Sequence, residues 1–293
     1  MKQEYFTRCI LSGLVPLILL LIGCKGKTDE KKNSIQIKGS DTMVNLGQAW
    51  AEEYMKLNPG SSIAVTGGGS GTGISSLINN TCDIAEVSRE MKENEIKMAE
   101  SKGIEPKEIK VALDGLAVVV NLQNPVAGLT IDQLDDIFTG KIKNWNEVGG
   151  KDGKIVLLSR EVNSGTHVYF KEHIVRKGDA KGKEEFSPEA LLLPSSQAIS
   201  DEVATNVNAI GYFGMGYLSP KEKAVKVAKD KSSPFVPPTI ENVVSNAYPI
   251  SRPLLMYTKG EPVGLVKSFI DYILSPAGQD LVKKLDFVPV SIK

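Results

Sequence analysis

Serine, threonine and glycine recur in four short stretches that could together hold a small anion. They are residues 39–42 (GSDT), residues 67–73 (GGGSGTG), Ser88–Arg89, and residues 159–166 (SREVNSGT). Hydroxyl groups donate hydrogen bonds without adding net charge, and glycine lets backbone N–H groups approach a ligand closely. An arginine such as Arg160 or Arg89 offers a planar fork matched to two oxyanion oxygens. Each stretch follows an apolar run and precedes a segment with helical spacing, so four strand-to-helix turns are expected. Unpaired N–H groups and the helix field favour an anion there. One Ser or Thr at such a turn only caps its helix. Four turns, two of them reading Ser-Gly-Thr, point beyond capping to one converging oxyanion site.

A sheet has to position those turns. SIQIK (34–38), SIAVT (62–66) and DIAEV (83–87) read as strands, and Leu46, Trp50, Tyr54 and Leu57 give the first following helix an apolar face. Strand, turn and helix in this order predict an α/β fold with parallel strands and a ligand at their carboxyl ends. Two adjacent apolar runs, 109–113 and 116–122, predict a chain leaving one sheet and entering another. Residues 129–150 read as a helix with a Gly-rich, Trp-containing exit, 154–160 as a strand and 167–178 as a helix. Strands are expected at 209–213 and 224–228. The prolines of SSPFVPPT (232–239) mark a stiff connection. A returning strand at 253–258 and an amphipathic helix from Pro262, interrupted at Ser275-Pro276, follow it. These last ~40 residues are too few to fold alone and are expected to complete the first lobe. Two lobes joined by at least two crossings, with a cleft between them, result.

At 293 residues, two lobes are also the default by size, and 41% apolar with 24% charged residues suits a soluble globular protein. Residues 1–23 stand apart as a secretory signal: Lys2 and Arg8, an apolar run over 10–22, then Gly23-Cys24. The run is shorter than the ~20 residues of a comfortable membrane span, the bland alternative being an uncleaved anchor helix. LIGC resembles the lipobox of bacterial lipoproteins, which implies a lipidated Cys24 and a protein held at a membrane surface. Residues 24–33 read as a flexible tether. Without residues 1–23, 33 basic and 34 acidic residues remain, and no basic stripe suited to nucleic acid is present. Cys82 is then the one unmodified thiol, so no internal disulfide is expected, and with two histidines no common zinc site.

GGGSGTG is followed by Ile74 and Ser75 and lacks the Lys-Ser/Thr of a P-loop; Gly67, Gly69 and Thr72 miss the last glycine of the dinucleotide fingerprint. No GxSxG elbow surrounds Ser70 or Ser164, so His167 reads as a surface or packing residue rather than a general base. A secreted phosphatase or esterase using one of those serines is the alternative from a different class. The leading expectation is a binding protein, not an enzyme, with no cofactor.

IKGSDTM, GGGSGTG, the IFTGKIKNWNEVGG segment (137–150), SREVNSGT, AIGY (209–212) and YPISRPL (248–254) together resemble the PstS family of bacterial phosphate-binding proteins, in motif order from about residue 34 to 290. The resemblance implies a two-lobed periplasmic-binding-protein fold of type II, each lobe a mixed sheet flanked by helices, with the ligand in the interlobe cleft. Residues 34–115 and 247–293 would form lobe 1 and residues 116–246 lobe 2. It implies binding of dehydrated inorganic phosphate in the cell envelope and delivery to the membrane permease of an ABC importer, by a lipid-anchored monomer. Carried over by position, Ser40, Thr42, the Met43 N–H and Ser70 would bind from one lobe, and Arg160, Ser164, Gly165 and Thr166 from the other. Where well-known relatives place an aspartate that accepts the proton of hydrogen phosphate, this chain has Ser88, with Arg89 beside it. Arg89 would meet the ligand or pair with Glu90 or Glu93. Val162 replaces an aspartate that steadies the arginine in some relatives, leaving Glu161 or another acid to do so. Weaker discrimination follows, and another oxyanion, sulfate or molybdate, is the alternative ligand.

Overall fold

The computed structural model describes residues 33–290 apart from Ala180. Signal segment, Cys24 and most of the tether lie outside the described residues. β1 (Ser34–Gly39), α1 (Val44–Leu57), β2 (Ser62–Thr66), α2 (Ser70–Ile78), β3 (Ile84–Val87) and α3 (Glu93–Ser101) alternate as the periodicity predicts. β2, β1 and β3 run parallel, so the turns after them gather at one sheet edge.

The two apolar runs turn out to be one strand, β4 (Pro106–Asn121), which changes partners along its length. Pro106–Gly115 pair antiparallel with β11 (Ser251–Lys259) except at Val111, where the register shifts, while Leu116–Val120 pair with β8 (Ala209–Gly214). Every residue of its final run, Leu116 to Val120, is buried, which is why no period-2 alternation marks it. Between β4 and β8 come β5 (Gly128–Thr130), α4 (Ile131–Phe138), β6 (Val156–Arg160), α5 (Gly165–Phe170), β7 (Leu191–Leu193) and α6 (Ser196–Thr205). β9 (Glu222–Ala224), β10 (Lys226–Ala228) and α7 (Ile240–Val244) precede β11; α8 (Gly264–Ile273), α9 (Pro276–Lys284) and β12 (Val288–Pro289) follow it. The main sheet path is β2-β1-β3-β11-β4-β8-β6-β7.

Several expected elements are shorter. The 129–150 helix stops at Phe138 because Gly140, at φ +81°, takes a left-handed turn, and Trp145–Val148 forms a separate 3₁₀ turn. The strand expected at 224–228 is two, β9 on β4 and β10 on β5. The helix after SGT changes to a π turn at Lys171–Val175. Two main cores result. Trp50, Ile35, Ile37, Phe269 and Phe287 pack one side of the first half-sheet, and Phe138, Phe170, Tyr212, Trp145 and Leu116 pack the second. The closing helices α8 and α9 cover the first core, as their small size requires.

Candidate anion-binding site

Close packing of β1 on β3 sets the first turn. Gly39 has φ +145°, and a Cβ there would fall 2.0 Å from the Glu86 carbonyl oxygen. Ser40 N–H donates to that same oxygen at 2.7 Å, and a 3₁₀ turn over Asp41–Met43 carries the chain into α1. The second turn depends on Gly69, at φ +92°, whose Cβ would lie 2.8 Å from the Asn163 carbonyl oxygen; Ser70 opens α2. Ser164 caps α5, its Oγ accepting from Thr166 N–H at 3.2 Å and His167 N–H at 3.5 Å. The third turn differs from expectation. α3 begins only at Glu93, so Ser88 hangs from the end of β3 and not from a helix mouth.

Hydroxyls from the two halves meet at one point. Thr42 Oγ1 and Thr166 Oγ1 are 2.9 Å apart, and Ser70 Oγ and Ser88 Oγ 3.3 Å, with Ser88 N–H donating to Ser70 Oγ at 3.0 Å. Gly165 lies between them: a Cβ there would come within 2.2 Å of Ser70 Oγ and 2.6 Å of Ser88 Oγ. Ser40, Met43 and Ser164 are buried around this cluster.

The cation in the cluster is Arg252, which the sequence reading passed over. Its Nη2 donates to Thr166 Oγ1 at 3.0 Å and Thr42 Oγ1 at 3.3 Å, and its Nη1 to the Ser88 carbonyl at 3.1 Å. Asp114 Oδ2 accepts from its Nε at 3.0 Å and Nη2 at 2.9 Å, and the guanidinium stands 5.7 Å from the Tyr169 ring centroid. Both members of this pair are wholly buried. Desolvation costs several kcal/mol per ion, so removing one partner would cost about 3–5 kcal/mol. A lone arginine inside an apolar strand, SRPLLMYT, was the available signal, because a buried cation needs a partner.

Arg160 is held differently. Its Nε and Nη2 donate to the Leu193 and Pro194 carbonyls at 3.3 and 2.8 Å, and its Nη1 to Ser196 Oγ and Asp41 Oδ2, both at 3.0 Å. Asp41 Oδ2 also accepts from Ser196 N–H at 2.8 Å and Ser196 Oγ at 2.9 Å. The acid that steadies Arg160 is therefore Asp41, reaching across from the first turn, and not Glu161. Arg89 pairs with an acid rather than facing the serines, but the acid is Glu95 and not the expected Glu90 or Glu93. Its Nη atoms donate to Glu95 at 2.7 and 2.8 Å and to the Glu90 carbonyl at 2.8 Å.

His167 Nδ1 lies 3.2 Å from Ser159 Oγ, not on Ser164 Oγ, and its ring packs on Phe186 at 4.7 Å. Burial pushes the imidazole down to about 4. Glu86, two residues before Ser88, is wholly buried against α1, and burial raises its pKa well above the carboxylate range. The helix field would favour the ionised form by up to ~2 kcal/mol. An unpaired buried ion loses several kcal/mol of hydration, so burial wins. Cys82 is buried and free, its thiol pushed up to about 11 by burial. Among the described residues no three His, Cys, Asp or Glu side chains could share a metal ion, and no helix is long and apolar enough to cross a membrane.

A profile of the PBP superfamily domain matches residues 26–277. The phosphate-binding protein PstS of Pseudomonas aeruginosa is 35% identical over 272 residues, covering 87% of this chain and 82% of its own; that of Bacillus subtilis is 35% identical over 270 residues, covering 90% and 84%. Among solved structures, a phosphate ABC transporter substrate-binding protein from Clostridium perfringens with bound phosphate is 37% identical. It superposes with a TM-score of 0.79, covering 88% of this chain and all of its own. An ABC-type phosphate transport receptor from Vibrio cholerae is 31% identical, with a TM-score of 0.69, and covers 87% of this chain and 99% of its own.

Proposed function

This chain belongs to the PstS family within the PBP superfamily, and on that premise we propose that it binds inorganic phosphate and hands it to an ABC-type importer. The observation that carries the reading is the meeting of Thr42, Ser70, Ser88, Gly165 and Thr166 from both half-sheets around Arg252. Phosphate entering this cleft loses its hydration shell, and every lost hydrogen bond must be replaced by protein. Thr42, Ser70, Ser88 and Thr166 hydroxyls supply neutral donors, joined by the N–H of Gly165 at the start of α5; the Met43 N–H is taken by the Ser40 carbonyl and the Thr166 N–H by Ser164 Oγ. Arg252 supplies the charge, pre-oriented by Asp114. Arg160 and Asp41 pull the two halves together beside the ligand, with Ser40 and Ser164 shaping the turns.

The lobes are residues 34–115 with 247–293, and residues 116–246; the partner exchange of β4 between Gly115 and Leu116 supports the first crossing. Cys24 anchors the protein by a lipid to the cell envelope, and the partner is a membrane permease. A second reading, another tetrahedral oxyanion, is favoured by one feature: position 88 carries a neutral hydroxyl, and Asp114 and Asp41 are committed to arginines. Equilibrium dialysis with labelled phosphate tests the assignment. Retention at micromolar phosphate is expected, with sulfate as a measurable competitor; retention of sulfate or molybdate in place of phosphate would overturn it.

A further inference from the structure

The Glu86 side chain touches none of the site residues described above, yet it is an anomaly of the fold. It is wholly buried, and neither carboxyl oxygen meets a protein donor among the described residues. Its place is built. A Cβ on Gly47 of α1 would fall 2.4 Å from Glu86 Oε1, so a glycine inside the helix leaves the room the carboxyl occupies. The Glu86 carbonyl holds the N–H of Ser40, where the first anion turn begins. The elements packed on it bring no countercharge: Gly39 pairs with it on β1, Met256 on β11, and Gly47 faces it on α1. Asp41, on the adjoining turn, is tied to Arg160. A titratable group that feels Glu86 is the half-buried Tyr217 phenol, whose hydroxyl donates to the Asp41 carbonyl.

We propose that Glu86 is a positioning residue that works as a neutral carboxylic acid, keeping negative charge from beneath the first anion turn, so that ligand retention weakens when its proton leaves. The inference rests on the phosphate reading. A neutral carboxyl fits beside the mouth of α1 without opposing an anion there, whereas a carboxylate would cancel the field that attracts it. A carboxyl whose proton is held more tightly in the folded chain contributes stability below the ordinary value, near 4.3, and that contribution is withdrawn as pH rises.

Phosphate titrations at pH 6, 7.5 and 9 and ligand-free thermal melts from pH 4.5 to 9 compare the protein with Glu86→Gln, and with Glu86→Met as a second neutral variant. Glu86→Gln is expected to melt above wild type at pH 9, with the gap shrinking towards pH 4.5. The ratio of wild-type to Glu86→Gln Kd is expected to rise at least about threefold from pH 6 to 9. Phosphate's own titration affects both proteins and cancels in that ratio. A flat ratio, or a lower Tm for both variants at every pH, overturns the proposal. Failure of the wild type to bind phosphate at any pH would instead overturn the phosphate reading, which the melts keep separate from the state of Glu86.

Discussion

At the scale of single residues, affinity depends on which arginine meets the ligand. Arg252 touches Thr42 and Thr166 and is held by Asp114, while the donors of Arg160 go to Leu193, Pro194, Ser196 and Asp41. Arg252→Lys keeps a cation but loses the fork, and is expected to raise the phosphate Kd by about tenfold, the worth of one charged hydrogen bond. Arg252→Met strands Asp114 and should lower unfolding stability by about 3 kcal/mol in denaturant titration. Arg160 was singled out as a ligand contact from its place before Ser-Gly-Thr, whereas protein acceptors take its donors here. Arg252 was not singled out, because it comes from a strand 86 residues after Thr166 in sequence, and only the antiparallel return of β11 brings it there. His167 gives a separate prediction. Its imidazole is held neutral, so its contribution is present above the free value near 6.5 and is lost as pH falls from there towards 4. Thermal melts should show His167→Gln losing less stability than wild type over that window.

At the scale of elements, the glycines of the turns decide whether the two halves can meet. Gly165→Ala would drive a Cβ into Ser70 Oγ and Ser88 Oγ. The expected outcome in a binding titration is a loss of phosphate affinity of at least about fivefold, since overpacking costs about 1–3 kcal/mol. The parallel β1, β2 and β3 and their helices were legible because strand and helix periods alternate cleanly there. The join of two apolar runs into β4 was not, since a strand buried on both faces carries no alternation. Ser88 was placed correctly beside the other turns but given the wrong support, because five residues separate the end of β3 from Glu93.

At the scale of the whole molecule, contacts between the halves surround the cluster. Gly71 N–H donates to the Asn163 carbonyl at 3.0 Å, Asn163 Nδ2 to the Gly68 carbonyl at 2.8 Å, and Lys92 pairs with Glu172 at 3.2 Å. Asp41→Asn removes the charge that joins the first turn to Arg160 and Ser196. It should weaken phosphate retention, seen as faster release in stopped-flow, by a factor of about ten for a loss near 1.4 kcal/mol. The general two-lobed plan was legible from the motifs and their order; the cross-connections were not, because each joins residues about 80–155 positions apart. The central claim is that these turns form one phosphate site, and isothermal titration of the protein with phosphate tests it most directly. One phosphate per chain with a Kd well below the millimolar range is predicted. No saturable heat up to millimolar phosphate would contradict it.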